Sequence, residues 1–141
     1  MRDQNAGASK EALFCIGSNC GDRQRNVASA LSRLALMLSD FRHSSVYASP
    51  DCQGGQKVYM NAVAVGKTAL DCKELDCMCK EFELSLGRDA AARAAGDVPV
   101  DVDIVVYDGV ILRKKDYRCV FFQKGFKELA LSEAFPSCDE D

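Results

Sequence analysis

The sequence predicts an α+β sandwich of order β-α-β-β-α-β, with an antiparallel sheet carrying its helices on one face. Three observations predict it. Two stretches, near residues 27–38 and 75–86, place apolar residues every three to four positions, as a one-sided helix does. Four shorter stretches, near 12–16, 41–49, 58–67 and 98–107, are rich in β-branched residues or alternate with period two. Glycine, proline, asparagine and aspartate separate the two kinds of stretch. A length of 141 residues fits one domain spanning 1–141, with segments 1–10 and 132–141 expected to be flexible ends.

The first strand is Ala12 to Ile16, an apolar run closing on Gly17-Ser18-Asn19. Asp22 is placed to cap the helix that follows, whose buried stripe reads Val27, Leu31, Leu34, Ala35 and Leu38. Phe41 to Ser49 reads as one continuous second strand stopped by Pro50, and residues 50–56 as a loop longer than a tight hairpin requires. In the third strand, Val58 to Lys67, alternation sends Tyr59, Asn61, Val63 and Val65 to one face and Met60, Ala62 and Ala64 to the other. Asp71 with Glu74 has the spacing of a capping box, and Leu75, Met78, Cys79, Phe82 and Leu86 mark the second helix, ended by Gly87. The alanine-rich segment 88–97 is expected to be a loop. The last main strand holds Asp101 to Tyr107. An Asp108-Gly109 turn, a short strand Val110 to Leu112 and a small helix Gln123 to Leu131 follow. This order is that of the ferredoxin-like sandwich, whose second sheet face is expected to stay open for a site.

A formal charge of −3 with scattered basic residues argues against nucleic acid as the main partner. No run reaches the roughly 18 apolar residues of a membrane span, and the polar start contains no hydrophobic signal core, so a cytoplasmic protein without a membrane partner is expected. The eight cysteines form no Cys-x-x-Cys, and His43 is the one histidine, so reduced structural thiols are expected rather than zinc.

The chemically informative segment is Val98-Pro99-Val100-Asp101-Val102-Asp103-Ile104. Strand alternation sets Asp101 and Asp103 side by side on one face, and acids there must face water, meet cations or bind metal. Spacing alone leaves a solvated edge and a hard-cation site both open. With Tyr59 and Asn61 on the same face, polar groups from two strands converge.

Ile16-Gly17-Ser18-Asn19, Gly21-Asp22-Arg23, Tyr59-Met60-Asn61, Glu83 with Gly87-Arg88, and Asp101-Val102-Asp103-Ile104 stand in the order seen in a known family. Together they resemble the 6-hydroxymethyl-7,8-dihydropterin pyrophosphokinases of folate biosynthesis over about residues 12 to 129. The resemblance implies transfer of the β,γ-pyrophosphate of ATP to the hydroxymethyl group of a reduced pterin, releasing AMP. It implies two magnesium ions on Asp101 and Asp103, with catalytic Arg88 and Arg93. It also implies a pterin pocket of Gly17, Ser49, Pro50, Tyr59, Asn61 and Phe126, and nucleotide contacts from Glu83, Ile104 and Lys124. Expected partners are then the two small substrates. The chain departs from the family where Ala90, Ala95 and Val98 replace two loop arginines and a tryptophan, leaving Arg93 as the only arginine within that loop. A second function, a non-catalytic pterin- or nucleotide-binding relative on the same scaffold, therefore stays open beside the enzyme.

Overall fold

A computed structural model of the chain describes residues 9–51, 54–131 and 135–136; most of both expected flexible ends lies outside the described residues. Lys10, expected in the flexible start, is instead the first residue of strand β1 (Lys10–Ser18). Helix α1 (Arg23–Met37) follows, and its cap is the one the sequence predicts: the Asp22 carboxylate accepts from the Arg25 N–H at 3.1 Å. Its buried stripe is Val27, Ala30, Leu31 and Leu34, so Ala30 takes the buried place expected of Ala35.

The strand expected over 41–49 is divided into β2 (Ser39–His43) and β3 (Tyr47–Ser49). The break is Ser44, which is buried and turned inward. Its N–H donates to Val63 O at 2.8 Å, and its Oγ accepts from Val63 N at 2.9 Å, replacing a backbone carbonyl in the ladder. Strand β4 (Tyr59–Thr68) comes next, then α2 (Cys72–Ser85), whose capping box is formed by Asp71 and Glu74 at 2.8 and 3.1 Å. Gly87, at φ 100°, ends that helix as expected. Met78 is exposed, however, and the buried stripe of α2 contains Glu83.

Segment 88–97 is not the expected loop. Asp89 caps a short helix, α3 (Ala90–Ala95), by accepting from Ala92 N at 2.9 Å, and Gly96 closes it in the left-handed region. Strands β5 (Asp101–Tyr107) and β6 (Val110–Ile111) lead to α4 (Lys114–Arg118), α5 (Val120–Glu128) and β7 (Phe135–Pro136). The helix expected over 123–131 thus begins and ends three residues earlier, and α4 is an additional turn.

The sheet runs β2-β4-β1-β5-β6-β7, with β3 also on β4; its pairs are antiparallel except β6 with β7. Alternation along the central strands separates two cores. Phe14, Ile16, Ala62, Ala64, Val102 and Ile104 pack against α1 and α2, in the α+β sandwich expected. On the other face Leu13, Val63, Val65 and Val105 pack against Phe122, Phe126 and Leu129. That face was expected to be open, but α5 covers one end of it. The approach is close: a Cβ on Gly125 would lie 2.5 Å from Val63 Cγ2, so only glycine fits there. The other end, at residues 15, 17, 59, 61, 101 and 103, remains uncovered. Among the described residues, no helix is long and apolar enough to cross a membrane.

Candidate active site

The open end of the sheet is built on β1. Gly17 is the register partner of Asn61 on β4 and of Asp101 on β5, and Cys15 is the partner of Val63 and Asp103. A cleft of about 300 Å³ stands over this floor, lined by Gly17, Ser49, Pro50, Tyr59, Asn61, Arg88, Asp101 and Asp103, with Cys15, Asp51, Arg113 and Asp116 completing it. Gly17 is required by crowding: a Cβ there would meet Asn61 Oδ1 at 3.2 Å and Tyr59 Cδ2 at 3.3 Å. The Asn61 amide is oriented by β3, donating from Nδ2 to Ser49 Oγ at 2.5 Å and to Tyr47 O at 3.4 Å. Burial, with Asp51 and Asp101 nearby, raises the Tyr59 phenol above its usual value, so it stays neutral. Cys15 is likewise held as a thiol by burial and by Asp103 and Asp116.

At the β5 side, one oxygen each from Glu83, Asp101 and Asp103 can lie within 4.8 Å of one another. Cations flank them. Arg88 Nη1 lies 2.5 Å from Asp101 Oδ1 and 3.0 Å from Glu83 Oε1; Lys80 Nζ lies 3.1 Å from Glu83 Oε2 and 3.2 Å from Asp103 Oδ1; Arg113 Nη2 lies 3.8 Å from Asp103 Oδ2. Burial first, then the neighbouring Asp103, pushes Asp101 up to about 8, against the opposing pull of Arg88. Burial acts to raise Asp103 as well, but the hydrogen bond from Asp101 with Lys80 and Arg113 leaves it below the usual carboxylate range. The two carboxylates thus differ in proton affinity, chiefly because Asp101 is buried while Lys80 and Arg113 face Asp103. The donor set, all carboxylate oxygen, suits a hard divalent cation such as magnesium.

A second groove, of about 420 Å³, adjoins the cleft at Asp103 and Arg113 and is lined by Cys72, Lys73, Asp76, Lys80, Ile104 and Leu112. It gives Ile104 a place at its wall although this residue faces the helices. A third groove, of about 640 Å³ between α4 and α5, is lined by Lys114, Lys115 and Phe121 among others.

Eight predicted residues therefore share the first cleft: Gly17, Ser49, Pro50, Tyr59, Asn61, Arg88, Asp101 and Asp103. Four predicted positions line neither of these first two spaces. Glu83, expected to contact nucleotide, is 2% exposed and has its oxygens engaged by Val102 N, Lys80 and Arg88. Phe126, expected as a pocket wall, is a core residue set edge-on to Tyr117 at 5.5 Å, because α5 turns that face onto the sheet. Lys124, on the exposed side of α5, rests its amine over the Tyr47 ring at 5.4 Å. Arg93 is exposed in the last turn of α3, without an ion pair among the described residues.

Sequence reasoning missed Lys80 and the role of Asn19. Lys80 precedes Glu83 by one helical turn, a spacing that joins side chains on one face. Asn19 lay in a motif already singled out, and its role is to latch the chain after α3. Its Nδ2 donates to Gly96 O at 3.2 Å, its Oδ1 accepts from Val98 N at 2.7 Å, and its own N–H donates to Val98 O at 2.9 Å.

Comparison with known proteins gives one consistent likeness. The model of the 7,8-dihydro-6-hydroxymethylpterin-pyrophosphokinase family matches residues 13–131. The chain is 33% identical over 100 residues to a folate synthesis bifunctional protein of Arabidopsis thaliana, covering 70% of the chain and 21% of that protein. It is 27% identical over 138 residues to the folic acid synthesis protein FOL1 of Dictyostelium discoideum, covering 94% of the chain and 21% of that protein. It is 32% identical over 104 residues to the 2-amino-4-hydroxy-6-hydroxymethyldihydropteridine pyrophosphokinase of Aquifex aeolicus, covering 71% and 62% respectively. The matched part thus spans about a fifth of the two long relatives.

Proposed function

Because the chain belongs to the 7,8-dihydro-6-hydroxymethylpterin-pyrophosphokinase family, we propose that it transfers the β,γ-pyrophosphate of ATP to the hydroxymethyl group of a reduced pterin and releases AMP. The observation that carries this reading is the floor of the cleft. Asn61, Gly17 and Asp101 stand in register on three adjacent strands, so an amide and a carboxylate flank a residue without a side chain. At a strand spacing of about 4.8 Å the backbones bearing the two polar groups are about 10 Å apart, and the Asn61 amide and Tyr59 ring lean over Gly17 between them.

On this reading Tyr59 and Asn61 hold the pterin, Asn61 through its oriented amide and Tyr59 through its ring face, while Ser49 and Pro50 bound the pocket. Asp101 and Asp103 would hold magnesium, two ions on the present reading, which supplies neutralisation of phosphate charge and a template for the attacking and leaving oxygens. Arg88 stands beside them as the guanidinium paired with Asp101, and its buried Nε–H has no hydrogen-bond partner among the described residues. The groove walled by Ile104 and Leu112 offers an apolar surface to the nucleotide base, adjoining the cleft at Asp103. No side-chain nucleophile is needed, since such transfers rest on positioning and charge stabilisation. The six free thiols among the described residues suit a reducing compartment, the cytoplasm on this reading.

One observation favours a second reading, a binding protein without catalysis: Arg93, the only arginine within the loop, is exposed on α3 rather than in the cleft. AMP release separates the two. With ATP, magnesium and 6-hydroxymethyl-7,8-dihydropterin, the wild type is expected to release AMP only when pterin is present. An Asp101→Asn, Asp103→Asn double variant is expected to lose at least about a thousandfold in rate while remaining folded by circular dichroism. No AMP from folded wild type would sink the enzyme reading.

A further inference from the structure

Three acids meet at the β5 side of the cleft, and three cations, Lys80, Arg88 and Arg113, approach them. The cations are not equivalent. The arginines make lateral contacts, Arg88 with Asp101 and Glu83 and Arg113 with Asp103. The Lys80 ammonium instead sits among oxygens alone: Glu83 Oε2 at 3.1 Å, Asp103 Oδ1 at 3.2 Å and the Val102 carbonyl at 3.2 Å. An ammonium has three donors and here meets three acceptors, two of them carboxylates that belong to the metal-capable group. That is the surrounding a hard cation would take, at a longer radius.

We propose that Lys80 is a tethered counter-cation that competes with a divalent ion for the Glu83 and Asp103 side of the cluster and is expelled when that side takes up metal. The inference rests on the metal-binding reading of Asp101 and Asp103. Magnesium needs oxygen at about 2.0 to 2.1 Å in near-octahedral order, so the ammonium and the ion exclude each other from the same oxygens. Two unit charges this close repel strongly outside bulk water. The expelled side chain has a destination. Asp76, one turn back at i−4 on α2, lines the same groove as Lys80 and offers the next acceptor. Lys80 thus keeps the acids apart from solvent cations until the metal arrives, and it sets the metal affinity of the free chain.

The test uses Mn²⁺ as probe, with binding read from loss of the free-ion electron paramagnetic resonance signal on the full chain. Lys80→Met is expected to bind Mn²⁺ at least tenfold more tightly than wild type. Lys73→Met, in the same groove without contact to the acids, should change affinity less than twofold. In parallel, the wild type is treated with an acetylating reagent with and without saturating Mn²⁺, and Lys80 modification is read by mass spectrometry. Modification is expected to rise several-fold with the metal, and this arm stands even where the Met variant fails to fold. Equal Mn²⁺ affinity in wild type and Lys80→Met, or Lys80 modification unchanged by bound Mn²⁺, overturns the proposal while leaving the metal site. Absence of Mn²⁺ binding in both proteins overturns the metal-site reading and this proposal with it.

Discussion

Gly17 shows how little space the cleft floor allows. Replacement by alanine sets a methyl group 3.2 Å from Asn61 Oδ1 and 3.3 Å from the Tyr59 ring, so both must give by a few tenths of an ångström. The backbone there is ordinary strand, and the fold is expected to survive. Displacing the amide and the ring is expected to raise the pterin KM about tenfold while leaving the ATP KM unchanged, measured by steady-state AMP release. An unchanged pterin KM would detach Asn61 and Tyr59 from the pterin. At this scale Asp101, Asp103, Asn61 and Tyr59 were legible because strand alternation is local and settles which face each side chain takes. Lys80 was not, because it reaches Asp103 from α2, a meeting that only the tertiary packing creates.

The same distinction separates elements that sequence foretold from those it did not. The caps of α1 and α2 lie within three residues of the groups they satisfy, so Asp22 and the Asp71 and Glu74 pair announce them. The break at Ser44 depends on Val63, nineteen residues away, and could not be read locally. Helix α3 lies between these cases. Alanine propensity permits it and Asp89 starts it, but the latch after it is Asn19, from the end of β1. Asn19→Ala removes both side-chain bonds to residues 96 and 98, each contributing about 1 kcal/mol. Tryptic cleavage after Arg93 in the folded protein is therefore expected to accelerate by about tenfold or more, with little change in global melting. Cleavage at the wild-type rate would show that the segment is held by something other than Asn19.

Over the whole molecule, one sheet serves two cores, and the cleft occupies the end of the second face that α5 leaves bare. Phe126 marks the boundary. It is 6% exposed among Phe122, Tyr117 and the sheet, so Phe126→Ala is expected to cost about 3 to 5 kcal/mol of stability. Denaturant unfolding checks the cost. The folded fraction is expected to keep its pterin KM, and a raised KM at unchanged stability would return this ring to the ligand. Sequence order made the sandwich legible, whereas the covering of its second face was hidden in an apolar segment too short to state which surface it seeks. The placement of Glu83 and Lys80 has a further consequence, for association between molecules. Along β5, strand β6 pairs with Val106 and Tyr107 alone, so the start of β5 would present a bare border to any neighbouring strand. The Glu83 carboxylate takes the Val102 N–H at 2.7 Å, and the Lys80 ammonium takes the Val102 carbonyl. Two side chains thus counterfeit a missing strand, and the border that bears the acids is closed to templated growth from another chain.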